Sequence, residues 1–430
     1  MDPGNWATDL EGGARFGYQL LWVLVVSNVI ALLLQGMSAR LALGSGLDLA
    51  SACRAGYSPG VSFGLWILAE IAIVACDLAE LLGSAVALQL LFGLPLIWGA
   101  ALTSLDVLLI LTLLRKGRRR LEAVVVVLLL TIAACLAVEL LWAGPKLQEV
   151  AADVWPPRLP ASAVFVAVGM LGATVMPHNL YLQSGLHAGE RPSNRQAREG
   201  SMKRSFWSTA LALNLALLVN GAILALAASA FGTRGIVVTD LADAHGLLTP
   251  LLGSSVASVL FAVALLCAGQ SASVTGTLAG QFVMEGFLRV QMAPWMRRAL
   301  TRGLALLPAL AVLSIVGDAG SLPLLIGSQV VLSLQLPFAV IPLIRLTSAP
   351  ALMGTDAVSP WVRRAALLCA ALILVANAAL VARSAQELAA THAWLSWLLG
   401  GLGLAGLAFL YRVARAPLRM VVTPRPVLPH

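Results

Sequence analysis

Charge is what this chain lacks. Of its 430 residues only 11% are Asp, Glu, Lys or Arg, against about 25% in an ordinary soluble domain. A soluble protein of this length could not cover its surface with so few ionisable groups. Disorder is excluded by the same figure, since a disordered chain is polar and charged. The five cysteines (Cys53, Cys76, Cys135, Cys267, Cys369) stand more than 20 residues apart and form no CxxC or disulfide framework, which leaves buried thiols as their reading. The five histidines include no HExxH spacing and no Cys/His cluster, so zinc-enzyme chemistry has no support. What remains is apolar: 59% hydrophobic residues and a mean hydropathy of +0.90, spread along the whole chain. The chain is an all-α integral membrane protein with no room for a large soluble domain.

A spanning helix needs roughly 20 apolar residues. Eleven runs qualify: 16–39, 62–91, 94–114, 121–143, 160–186, 205–231, 250–284, 299–317, 319–344, 365–382 and 388–411. A barrel is excluded, because its strands are about 10 residues long and alternate in polarity. The run 250–284 exceeds one membrane thickness and is expected to project into water as a helix. Before the first run lies a short stub, Asp2 to Gly13. Of the 28 Lys and Arg residues, 23 fall in the tail and the alternate connections on one side. That side is cytoplasmic by the positive-inside rule, and it includes the C-terminus. The net charge of +8 is therefore a topology signal and requires no nucleic acid.

An acid inside a span costs ~2.5–3.5 kcal/mol on insertion scales and suggests function by default. The run 62–91 holds three, Glu70, Asp77 and Glu80. Spacings of seven and three set them on one helical face. Two readings stay open: a route for protons or cations, or ion pairs with arginines of a neighbouring helix. Asp106 and Glu139 stand alone in their spans, and an interhelical hydrogen bond is the expectation for each.

Helix breakers occur at membrane depth in two places, Asp2-Pro3-Gly4-Asn5 and Met176-Pro177-His178-Asn179. Proline removes a backbone donor and clashes with the preceding turn. In hydrocarbon such a break survives only where it lines a cavity or is buried in protein. Each break is flanked by metal-ligand chemistry: the Asp2 carboxylate, the Asn5 amide oxygen, the Met176 thioether and the Ala173 carbonyl one turn earlier. Oxygens with one soft sulfur suit Mn²⁺, Fe²⁺ and softer divalent ions, and do not suit Mg²⁺ or Ca²⁺. The two breaks share the form Pro-x-Asn and stand 174 residues apart. Five helices lie in each interval, so the second unit begins on the opposite side of the membrane. Inverted repeats with discontinuous first helices place a substrate at the repeat interface. Repeat one is expected at about 1–143, repeat two at about 160–347, and extra helices at about 361–412.

These residues resemble a known family. Asp2-Pro3-Gly4-Asn5, the run from Ala173 to Leu182 (ATVMPHNLYL), and the run from Gly269 to Gln281 (GQSASVTGTLAGQ) with Met284-Glu285-Gly286-Phe287 are similar to the signatures of the Nramp proteins, proton-coupled importers of manganese, iron and related divalent metals. The resemblance covers essentially the whole chain. It implies a LeuT-like fold of about 12 transmembrane helices, the first only partly present, in a plasma (inner) membrane. It also implies that Asp2, Asn5, Met176, the Ala173 carbonyl and, in an occluded state, Gln329 hold the metal. His178 would stand on the proton route with Asp2. Asp77 and Glu80 would carry protons onward, with Glu70, Arg298 and Arg302 as ion-pair partners. Gln183 occupies the place of a second histidine common in the family, so any role of that histidine is lost. The family carries a half-helix before the first motif, so the numbering is expected to begin inside a longer chain.

The expected function is secondary active import of divalent transition metal ions coupled to protons by alternating access, with no enzymatic activity and no resident cofactor. The expected partners are metal ions, protons and the lipid bilayer. A magnesium carrier is disfavoured by the Met176 sulfur, and an amino-acid carrier by the repulsion Asp2 would exert on a substrate carboxylate. A membrane metallohydrolase would need a water-bearing metal held by His or carboxylates, and His178 alone is near. A channel is distinguished by whether uptake runs against a gradient.

Overall fold

The computed structural model describes residues 2–419 except 104–117, 146, 155–156, 191, 193, 233–234, 236–237, 239–240, 291, 318–319 and 392; side chains at 118–122, 147, 149, 252, 255, 294–295, 298, 316, 390–391 and 393 are also left aside. Its helices are α1 (Pro3–Phe16), α2 (Leu21–Ser45), α3 (Leu49–Gly56), α4 (Pro59–Phe92), α5 (Leu96–Thr103), α6 (Arg118–Ala143), α7 (Leu147–Val154), α8 (Val164–Val175) and α9 (Pro177–His187). There follow α10 (Arg195–Ala230), α11 (Leu241–Leu252), α12 (Ser255–Leu288), α13 (Pro294–Val316), α14 (Ser321–Thr347), α15 (Pro350–Met353), α16 (Pro360–Thr391) and α17 (Ala393–Arg415). Among the described residues nine helical stretches are long and apolar enough to cross a membrane, with α8 and α9 forming one interrupted crossing. Within α13, Ala299–Ile315 is a shorter apolar segment. Most of the run 94–114, Asp106 included, lies outside the described residues.

Apolar side chains that face outward, such as Leu141, Ile315 and Trp397 at 80%, 84% and 81% exposure, would be untenable in water and suit lipid contact. The helices overrun the apolar runs at their ends. The run 205–231, for example, is the outer part of α10, which starts at Arg195. Hydropathy marks the hydrocarbon depth, whereas backbone hydrogen bonding continues the helix into the polar flank.

One boundary is corrected. The run 250–284 holds a helix longer than a membrane crossing, the 34-residue α12, but divides near its start: α11 ends at Leu252, Gly253 takes φ 69° and α12 begins at Ser255. Serine at 254 caps α12 by accepting from the Val256 N–H, which is why the chain restarts there. The extra length of α12 lies at its other end, out to Leu288.

Around the site, α4 packs on α12, α13 and α14, while α1 packs on α8, α10 and α14. The motif from Gly269 to Gln281 lies on α12, facing α4. A Cβ on Gly276 would come within 2.6 Å of Glu80 Oε1, so this glycine is the notch that lets a buried carboxylate lie across a helix.

Candidate functional site

Asp2 has an extended backbone (φ −122°, ψ 145°) and caps α1, accepting from the Gly4 N–H while the Asn5 side chain accepts from the Asp2 N–H. Proline at the first helical position loses nothing, because that N–H has no helical partner anyway. The carboxylate thus sits at the positive end of the α1 helix dipole. The second break is built alike. α8 stops at Val175, and Met176 takes φ 48° and ψ 96° before Pro177 opens α9. A non-glycine residue at positive φ is strained and persists only where its surroundings enforce it. Pro177 has no N–H for the carbonyl of Ala173, four residues earlier, so that carbonyl is left without its helical donor. The two asparagines match: Asn5 N–H donates to the Asp2 carbonyl at 3.0 Å, and Asn179 N–H to the Met176 carbonyl at 2.9 Å.

Gln329 on α14 joins the two breaks. Its amide donates to Asp2 Oδ2 (3.2 Å) and to Ser328 Oγ (3.0 Å). Gly4 lies against its side chain, and Gly172 against its backbone carbonyl. The start of α1 and the end of α8 therefore meet over one residue. Asp2, Asn5, Ala173, Met176 and Gln329 are all buried. The Gln329 Oε1 atom is buried without a hydrogen bond, so a turn of the amide would present an oxygen where it now presents a donor. The Asn179 amide donates to Met176 Sδ at 3.2 Å, which orients the sulfur. Among the described residues no three His, Cys, Asp or Glu side chains gather at one point. The first break offers the Asp2 carboxylate and the Asn5 amide, and the second the Ala173 carbonyl and the Met176 thioether.

The acid stripe on α4 runs beside this centre. Asp77 and Glu80 are fully buried. Glu80 Oε2 accepts from Ser273 Oγ (3.2 Å) and lies 3.6 Å from Arg302, which in turn donates to Ser273 Oγ (2.7 Å). Glu70 pairs with Arg297 at 3.1 Å. That corrects the expected pairing: the arginine reaching Glu70 is Arg297, Arg302 serves Glu80, and the Arg298 side chain lies outside the described residues. Helical geometry explains the shift, because Glu80 lies about 15 Å along α4 from Glu70 at 1.5 Å per residue, so a different turn of α13 meets each acid. The stripe thus carries buried arginine pairs at Glu70 and Glu80.

His178 follows the break and is buried; its Nε2 lies 3.7 Å from Cys76 Sγ on α4, and its Nδ1 has no partner. Gln183 donates to Thr209 Oγ1 (3.0 Å) and Ser205 Oγ (3.4 Å), tying α9 to α10. Glu139 is fully buried on α6, with its carboxylate beside the Phe261 backbone of α12. The sequence reading missed Cys76 and Arg297; the four-residue spacing of Cys76 and Glu80 was the available signal for the first.

The sequence model of the natural resistance-associated macrophage protein-like family, Nramp, matches residues 1–383. The divalent metal cation transporter MntH of Xanthomonas campestris pv. campestris is 50% identical over 382 residues, covering 88% of this chain and 86% of the relative. The natural resistance-associated macrophage protein 2 homolog of Dictyostelium discoideum is 50% identical over 358 residues, 82% of this chain and 57% of the relative. Among solved structures, an Eremococcus coleocola manganese transporter bound to an aromatic bis-isothiourea compound superposes with a TM-score of 0.86 at 32% identity, covering 96% of this chain and 91% of that one. Inward-facing Mhp1 shares the fold alone, with a TM-score of 0.56 at 15% identity over 96% of this chain and 88% of its own. With two Pro-x-Asn breaks meeting over Gln329 in a LeuT-like helical bundle, this chain belongs to the Nramp family of membrane transporters and is not an enzyme.

Proposed function

We propose that this protein imports divalent transition metal ions, Mn²⁺ and Fe²⁺ among them, by proton-coupled alternating access across a plasma membrane, with its C-terminus in the cytoplasm. The observation that carries the reading is the meeting of the start of α1 and the end of α8 over Gln329, and on this reading Asp2, Asn5, Met176 and the released Ala173 carbonyl are the ligands. The ion exchanges its water for these donors, and Gln329 turns its oxygen inward to complete the shell. Binding needs the Asp2 carboxylate deprotonated, so metal and proton compete there. A proton leaving Asp2 passes by His178 to Asp77 and Glu80, while Arg302 and the Glu70–Arg297 pair set the field along the stripe. Repeats at about 1–143 and 160–347 alternate access around the centre, with helices at about 361–412 packed outside. The relatives named for divalent metal and manganese transport support this reading.

The test is Mn²⁺ uptake into proteoliposomes with and without an inward proton gradient, with Ca²⁺ as competitor. Uptake that the gradient accelerates and that excess Ca²⁺ leaves intact is expected. Gradient-independent downhill flux would assign a channel instead.

A further inference from the structure

We propose a second, soft-metal site built from Cys76 and His178, which takes a closed-shell monovalent cation of the Cu(I)/Ag(I) class and arrests transport. The Cys76 thiol lies on α4, 3.7 Å from His178 Nε2 and 3.5 Å from Glu80 Oε1, to which it donates. Both side chains are 3% exposed. Among the described residues the thiol is the hydrogen-bond contact of Nε2, while Nδ1 is buried without one. A ring nitrogen buried without a hydrogen bond is costly, and Nε2 facing the sulfur sets an imidazole and a thiol side by side as two potential metal ligands.

The geometry selects the ion. Two ligands are too few for Zn²⁺, which takes four; no group of three His, Cys, Asp or Glu placed to hold one ion occurs among the described residues, and Glu80, 3.5 Å from the sulfur, stands as the thiol's proton acceptor. Soft d¹⁰ monovalent ions accept two ligands in a line and prefer thiolate. Taking zinc's bonds of about 2.3 Å to sulfur and 2.0 Å to nitrogen as the scale for a d¹⁰ ion, sulfur and nitrogen stand about 4.3 Å apart when collinear with the ion. The observed 3.7 Å therefore needs to open by only about 0.6 Å. The balance is simple. As the cation binds, the thiol proton passes to the Glu80 carboxylate, the sulfur becomes a thiolate, and the imidazole stays neutral.

Arrest follows from three consequences of that one event. The bond ties α4 to the half-helix that begins at Pro177, one residue past Met176. The His178 lone pair is taken. Glu80 holds a proton and no longer balances Arg302. The block on transport rests on the function proposed above, whereas binding of the ion does not.

The experiment uses Ag⁺, which is redox-inert here, in chloride-free buffer. Its affinity for the detergent-solubilised protein is read by titration calorimetry, and its effect on Mn²⁺ uptake is read in proteoliposomes relative to each protein's uninhibited rate. Cys76→Ser is compared with wild type and with Met176→Ala; the other four cysteines remain in all three as background. The expected result is that Cys76→Ser loses the tight Ag⁺ site and needs more than the roughly tenfold extra Ag⁺ that loss of even an outer-shell partner costs a metal site. Met176→Ala is expected to keep the tight Ag⁺ site, since the thioether belongs to the other centre. Wild-type Ag⁺ affinity in Cys76→Ser, or its loss in Met176→Ala, overturns the proposal. If no protein takes up Mn²⁺, the transport reading fails while the calorimetry still decides the site.

Discussion

Gln329 donates its side-chain amide to the Asp2 carboxylate, Nε2 to Oδ2 at 3.2 Å. A residue in the middle of an unbroken helix thus closes over the capping residue of a broken one. The contact places a polar hand at the mouth of the half-helix and leaves its oxygen, Oε1, without a hydrogen bond. It is the feature from which ion capture, proton competition and close packing can each be tested.

Asp2→Asn keeps the capping geometry, since Asn is as good a cap as Asp, but removes the negative charge. Mn²⁺ binding is expected to be lost together with its pH dependence. In the wild type, affinity falls as pH drops, because protons and metal compete for one carboxylate. Calorimetric titration of both proteins across pH checks this; Mn²⁺ affinity with wild-type pH sensitivity in Asp2→Asn would move the linkage to another group.

Met176→Ala deletes the sulfur and leaves the oxygen donors of Asp2, Asn5 and Ala173 in place. Cd²⁺ affinity is expected to fall by about tenfold or more, the scale on which perturbed metal shells respond. Mn²⁺ is affected less, and Ca²⁺ and Mg²⁺ are better tolerated. Alanine inherits the φ of 48° at this position, so Met176→Gly is the companion that separates backbone strain from the loss of sulfur. Unchanged Cd²⁺ affinity in both variants removes the thioether from the site.

Glu80→Gln and Asp77→Asn both spare the two breaks, so equilibrium Mn²⁺ binding is expected to survive in each while proton flux falls. Glu80→Gln also removes the carboxylate that balances Arg302, whose side chain is 3% exposed, and breaking a buried pair costs about 3–5 kcal/mol. Its melting temperature in detergent should drop and partly recover in Glu80→Gln/Arg302→Gln. A Glu80→Gln melting temperature equal to that of the wild type would show that the Glu80–Arg302 pair is not structural.

Gly172→Ala tests the meeting of α8 and α14. An added Cβ collides with the Gln329 carbonyl and the Ser333 N–H, backbone atoms that cannot turn aside, so about 1–3 kcal/mol or more of overpacking is expected. Gly221→Ala is the control, because its Cβ would meet only Leu21 Cδ2 at 3.9 Å. A lower melting temperature for Gly172→Ala alone is the expected outcome; identical melting curves would mean that the helices separate at no cost.

The amino-acid sequence by itself determined the solvent, the breaks and the donors. Eleven apolar runs and the skewed arginines require a bilayer, because apolar length and interfacial charge are local properties of the chain. Pro177 broke its helix and Pro3 opens α1 without help, since a missing N–H is covalent. Asp2, Asn5 and Met176 were legible for the same reason: each stands within three residues of a proline. What the tertiary structure decided were relationships between distant segments. Arg297, rather than a neighbouring arginine, meets Glu70, because the choice depends on the rotation and crossing of α13 against α4. The division at Gly253 followed from a cap at Ser254 that hydropathy averages away. Cys76 faces His178 across 102 positions, and nothing in either local sequence encodes that distance. Two rigid helices had to be packed before those two atoms had a separation at all.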